Sequence, residues 1–145
     1  MKKTIIASNK FPVFGPYSAA VEANDIIFIS GQLPIDPATG EIINDIKKAT
    51  RQVLINIQTI LEKTGLDMSN IVKTTIFLKN IADFSAVNEI YADFFRQEPP
   101  ARSTIEASVL PKGALIEIEA IAIRKSRVWT PKQALEKVPQ QAAGY

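Results

Sequence analysis

The segment from Pro99 to Lys125 constrains the fold most, because it places charged residues inside a pattern typical of buried strands. Ala101–Val109 and Leu115–Ile123 are rich in β-branched residues, and a turn sequence containing proline and glycine separates them, which predicts a hairpin of two strands. In the second strand, alternation places Glu117 and Glu119 on one face with three apolar residues. An unpaired carboxylate is costly to bury, so these two acids need partners, protons or a cavity.

Arg102, in the first of the two strands, is the obvious partner for these carboxylates. The alternative is that both acids lie on the solvated side of an ordinary sheet and that Arg102 is a surface cation. The residues by themselves leave both interpretations open.

The rest of the chain predicts further strands and two helices. Apolar residues at helical spacing predict a helix over Asp45–Thr64, capped by Asn44 or Asp45, and a second helix over Asp83–Phe95, capped by Asp83. The remaining predicted strands are Thr4–Ala7, Ser18–Ala23, Ile26–Leu33 and Ile71–Leu78. This order predicts one α+β domain, a mixed sheet of about six strands with two helices on one face. The bare apolar face then predicts an oligomer.

Composition excludes several kinds of chemistry. The 145 residues include no cysteine and no histidine, so the chain cannot form a Ser/His/Asp triad, a thiol nucleophile or a usual zinc site. Acidic and basic residues balance up to Lys125, which argues against a nucleic-acid-binding groove. No stretch approaches the roughly 20 apolar residues of a membrane span, and the first apolar run is too short for a signal peptide. We therefore expect a cytoplasmic protein.

Four separated segments resemble, in the same order, the reactive intermediate deaminase (Rid, or YjgF) family. They are G-P-Y-S at Gly15–Ser18, S-G-Q-x-P at Ser30–Pro34, the strand Val72–Leu78, and P-A-R-S at Pro100–Ser103 followed by I-E-I-E-A-I-A. The resemblance covers roughly residues 1–125. The extension, residues 126–145, lies beyond it, and either a short helix near Pro131–Lys137 or a tail without fixed structure fits its sequence.

The resemblance implies a chorismate-mutase-like fold, a homotrimer with sites between subunits, and hydrolysis of 2-iminobutanoate or 2-iminopropanoate to a 2-oxo acid and ammonia without metal or cofactor. It implies Glu117 as the acid–base residue and Arg102 as the group that binds the substrate carboxylate. The other pocket residues that it implies are Tyr17, Ser30, Gly31, Asn88 and Thr104. Without the resemblance, Tyr17 could cover the edge of the core, Gly31 could be a packing glycine and Asn88 a surface residue.

Two residues depart from the family pattern, and two other functions stay open. Thr104 replaces a common cysteine and Ala19 a common glutamine, while Arg102 and Glu117 match. The first alternative is a non-catalytic trimer that binds small carboxylates as a regulator. The second is an RNA-cleaving or translation-inhibiting protein, which the balanced charge and the lack of histidine oppose.

Overall fold

The computed structural model describes residues 2–6 and 12–124, which form a six-stranded sheet with two α-helices on one face. The strands are β1 (Lys3–Ile6), β2 (Ala20–Ala23), β3 (Ile26–Gln32), β4 (Ile71–Leu78), β5 (Ala101–Glu106) and β6 (Ile116–Ile123), and the helices are α1 (Ile46–Glu62) and α2 (Phe84–Phe94). The strand order is β1-β2-β3-β6-β4-β5, with β4 and β5 parallel and the other described pairs antiparallel. The predicted α+β fold is confirmed; the predicted extension lies outside the described residues.

The predicted hairpin of the last two strands is wrong, because β4 lies between β5 and β6. The connection crosses the end of β4: the amide of Ala107 donates to the carbonyl of Leu78 at 2.8 Å, and that of Lys79 to the carbonyl of Leu115 at 2.9 Å. Helix α2 provides the crossover that a parallel β4–β5 pair requires. A local pattern shows where strands are but not which strand each one pairs with.

The two helices begin differently. Asp45 caps α1, as predicted, because its carboxylate accepts a hydrogen bond from the amide of Lys48 at 2.9 Å. The predicted cap of α2 is wrong: Asp83 already has helical backbone angles and makes no side-chain cap bond. Asn80 instead caps the short 3₁₀ turn that leads into α2, accepting from the amide of Ala82 at 2.9 Å.

The two faces of the sheet differ in burial. The face toward the helices holds the main core, which includes Ile27, Ile76, Ile116 and Ile118 at 0% exposure. The open face presents large apolar side chains to solvent, among them Phe28, Ile105 and Ile123 at 46%, 50% and 41% exposure. Neither helix in the described residues is long and apolar enough to cross a membrane.

Candidate active site

Glu117 lies on the open face of β6, directly against the backbone of Gly31 in β3. A Cβ atom at position 31 would overlap Oε1 of Glu117 and lie 2.9 Å from its carboxyl carbon, so a side chain there would displace the glutamate. The register of β3 with β6 also shifts between Ile29 and Gln32. Gly31 therefore lies within this register shift and is the point of close approach to Glu117.

A cleft of about 290 Å³ opens in front of the Glu117 carboxyl group. Three segments enclose it: the loop before β2, the end of β3, and the turn at Pro111–Gly113. Its lining residues are Phe14, Tyr17, Gly31, Leu33, Pro111, Lys112 and Glu117. Two predicted pocket residues, Tyr17 and Gly31, thus share one cleft with the predicted catalytic acid.

Hydrogen bonds shape the loop that carries Tyr17. The Tyr17 hydroxyl accepts from the amide of Phe14 at 3.2 Å, while about half of the Tyr17 side chain stays exposed. The hydroxyl of Ser30 donates to the carbonyl of Ser18 at 2.6 Å and so ties the loop to β3. Ser30 lines a neighbouring depression of the open face together with Glu119 rather than the cleft itself.

The environment of Glu117 favours its protonated form. Burial raises the pKa of its carboxyl group, and the negative charge of Glu119 raises it further. The positive charge of Arg102, which would lower this pKa, is not among the causes within a single chain.

Arg102 lies on the helix-covered face of the sheet, at the outer strand β5. Its guanidinium carbon lies 4.9 Å from the ring centroid of Tyr91 and 5.4 Å from that of Phe84, both on α2. The Tyr91 hydroxyl shares a hydrogen bond of 2.8 Å with Thr74, the neighbour of Arg102 on β4. Among the described ion pairs none involves Arg102, so its charge is available to a ligand.

Asn88 and Thr104 accompany Arg102. Asn88 is half-buried and falls between Phe84 and Tyr91 on one face of α2, by helical spacing. Thr104 shares the face of β5 with Arg102, and its buried hydroxyl has no hydrogen-bond partner within residues 2–6 and 12–124.

Apart from Ser30, the predicted residues therefore form two groups separated by the sheet. Tyr17, Gly31 and Glu117 form what we call the glutamate half-site; Asn88, Arg102 and Thr104 form the arginine half-site. The predicted pairing of Arg102 with the acids of β6 does not occur within one chain, because their side chains project from opposite faces. In the described part of the chain, no group of three acidic side chains is placed to hold a metal ion.

Sequence reasoning missed three residues around the glutamate half-site. Phe14 and Lys112 line the cleft, and the Lys112 ammonium lies 4.0 Å from the Phe14 ring centroid. Asn56 is 2% exposed and donates to the carbonyls of Leu33 and Ile35 at 3.2 and 3.0 Å, which fixes the segment after β3. A polar asparagine among the buried apolar residues of α1 was the sequence signal for Asn56. No comparable local signal marked Phe14 or Lys112.

Comparisons with known proteins agree with this architecture. A family model described as Endoribonuclease L-PSP matches residues 7–124. A RutC family protein of Pyrococcus horikoshii is 50% identical over 126 residues, which cover 86% of this chain and 100% of that protein. The 2-iminobutanoate/2-iminopropanoate deaminase of Escherichia coli is 44% identical over 128 residues, with coverages of 86% and 100%. The solved structure of Escherichia coli TdcF with bound serine superposes on this chain with a TM-score of 0.79. The two sequences are 38% identical, and the match covers 83% of this chain and 98% of the TdcF chain.

Proposed function

Because this chain belongs to the reactive intermediate deaminase (Rid, or YjgF) family, we propose that it hydrolyses 2-imino acids to 2-oxo acids and ammonia. The observation that carries the proposal is the Glu117 carboxyl group, whose pKa is raised and which faces a cleft beside the backbone of Gly31. A carboxyl group in such a place can hold a proton and release it within one reaction cycle. The name of the Escherichia coli relative supports the same substrate class, 2-iminobutanoate and 2-iminopropanoate.

Arg102 binds the carboxylate of the substrate in this proposal. A planar guanidinium forms two parallel charge-assisted hydrogen bonds with a carboxylate, which orients the adjacent C=N group. The Tyr91 and Phe84 rings hold the guanidinium in place without neutralising it. The arginine half-site is therefore suited to bind the common part of all 2-imino acids.

Glu117 moves the protons of the reaction. Its carboxylate accepts a proton from water as the water oxygen bonds to the imine carbon, and the proton then passes to the nitrogen. A second transfer through the same carboxyl group takes the hydroxyl proton of the tetrahedral intermediate to the amino nitrogen. The C–N bond breaks, ammonia leaves and the C=O bond of the 2-oxo acid forms. These steps use water and one carboxyl group, with Glu119 acting only through its charge.

We further propose that the two half-sites meet between subunits of a homotrimer. Within one chain the sheet separates Arg102 from Glu117, so one substrate reaches both only if two chains contribute. The exposed apolar side chains of the open face give such an assembly a surface to bury. The cytoplasmic location remains a prediction of the sequence.

Enzymatic generation of 2-iminobutanoate, followed by timed trapping of the remaining imine, tests the function. We expect the protein to accelerate the loss of the imine. Glu117→Gln should reduce the rate by at least about 100-fold, because the acid–base group is lost while its size is kept. Arg102→Ala should do the same through loss of the carboxylate contact.

The matched control for Glu117→Gln is Glu62→Gln, an exposed position on α1 with the same change of charge. Unchanged activity in the Glu117→Gln protein would contradict the assigned role. Binding of 2-oxobutanoate without any acceleration of imine loss would favour the non-catalytic carboxylate-binding alternative.

A further inference from the structure

Lys112 adopts a backbone conformation that lysine disfavours. It lies in the turn Pro111–Gly113 with φ 56° and ψ 22°, in the left-handed region. Glycine or asparagine adopts these angles at lower cost, because Cβ crowds the backbone there. A lysine at this position points to a contribution from its side chain.

The side chain of Lys112 reaches across the mouth of the glutamate half-site. Its ammonium lies 4.0 Å from the centroid of the Phe14 ring, and both residues line the cleft in front of Glu117. This contact joins the turn after β5 to the loop before β2 and holds the positive charge at a defined place.

The charge of Lys112 is not neutralised by a carboxylate. Among the ion pairs of the described residues none includes Lys112. No ion pair joins Lys112 to Glu117, and the causes of the raised pKa of Glu117 are burial first and Glu119 second, without a contribution from Lys112. A cation held over an aromatic ring at the mouth of a cleft is suited to bind an anionic ligand group.

We propose that Lys112 is a specificity-determining residue that binds a second carboxylate on the substrate. The inference rests on the proposed function, in which Arg102 takes the carboxylate next to the imine. Lys112 is then left to contact an acidic group at the far end of the substrate side chain. The site therefore favours dicarboxylic 2-imino acids over those with a neutral side chain.

Selectivity between two imines tests the proposal. We compare kcat/KM for 2-iminoglutarate and 2-iminobutanoate, each generated in situ, in the unchanged protein and in Lys112→Gln. The ratio of the two values should fall about tenfold in Lys112→Gln, through loss of one charge-assisted contact. Lys112→Arg should retain most of the ratio, and Phe14→Leu should lower it partly, since the ammonium loses its aromatic support.

Two further variants keep the result interpretable. Lys48→Gln removes one exposed charge from α1, away from the cleft, and should leave the ratio as it is. Lys112→Asn suits the left-handed backbone and replaces Lys112→Gln if that variant fails to fold. An equal loss of kcat/KM for both imines would mean that Lys112 recruits the common carboxylate, and no loss for either imine would mean that it only supports Phe14. Both outcomes leave the ratio unchanged and overturn the proposal.

Binding measurements separate this proposal from the proposed function. Calorimetric titration with 2-oxoglutarate and 2-oxobutanoate needs no turnover. If the unchanged protein hydrolyses no imine but prefers 2-oxoglutarate, and Lys112→Gln loses that preference, the function fails while the role of Lys112 stands. If the protein hydrolyses imines but prefers neither 2-iminoglutarate over 2-iminobutanoate nor 2-oxoglutarate over 2-oxobutanoate, the function stands and the role of Lys112 is overturned.

Discussion

At the scale of single residues, the proposed role of Glu117 as general base predicts how activity depends on pH. Burial is the larger cause of its raised pKa, and the Glu119 charge is the smaller one. A general base must be deprotonated to accept a proton, so kcat/KM should fall as the pH drops through this pKa, at a higher pH than for an ordinary glutamate.

Glu119→Gln should shift the acidic limb of the pH profile, where kcat/KM falls, to lower pH. Removing the neighbouring negative charge makes ionisation of Glu117 easier, so its pKa decreases and the base stays active in more acidic solution. The measurement is the pH dependence of kcat/KM for 2-iminobutanoate. Glu62→Gln, with the same charge change at the exposed last residue of α1, should leave the limb in place. A limb that moves to higher pH in Glu119→Gln would contradict the assignment of Glu117 as the base.

At the scale of elements, the start of each helix shows how similar sequence signals differ in outcome. Asp45 precedes α1 in extended conformation, so its carboxylate can reach the amide of Lys48. Asp83 precedes α2 from within a 3₁₀ turn and cannot do the same. A hydrogen bond at the helix start is therefore present at one aspartate and absent at the other.

This difference predicts unequal losses of stability. Asp45→Ala should lower the free energy of unfolding by about 1 kcal/mol, the usual contribution of an N-cap, and Asp45→Asn should keep most of it. Asp83→Ala is the matched control and should change stability by less than about 0.5 kcal/mol. Urea unfolding at one fixed protein concentration measures both, because the proposed assembly would make stability depend on concentration. Equal losses in the two alanine variants would contradict the capping difference.

At the scale of the whole molecule, the sheet divides the predicted site into two halves. The glutamate half-site lies on the open face, and the arginine half-site lies on the helix-covered face near the outer strand β5. A homotrimer that joins one half from each of two neighbours would create three complete sites.

Mixed assemblies test this arrangement directly. Arg102→Ala and Glu117→Gln chains, each inactive alone, are unfolded together in equal amounts and refolded. About one quarter of the interfaces should then combine an intact Glu117 with an intact Arg102, which restores about one quarter of the original activity. Sites built within single chains would stay inactive in the mixture, because neither chain carries both residues. Size measurements on each variant check that both still assemble.

The sequence by itself determined the elements, their order and the fold class. The spacing of apolar residues in α1 and the alternation in β6 depend only on local geometry, and both are confirmed. Asn24 and Asp25 are residue types that tolerate positive φ, and both have it, at 50° and 63°, as a tight turn between paired strands requires. Local signals of this kind are complete within a few residues.

Tertiary structure alone decided which residues meet. The position of β4 between β5 and β6, and hence the separation of Arg102 from Glu117, follows from long-range pairing that no short segment specifies. The same holds for the approach of Phe14 to Lys112, two residues far apart in sequence. Strand alternation predicts the face that a side chain takes on its own strand, but the partner across a cleft depends on how the whole chain packs.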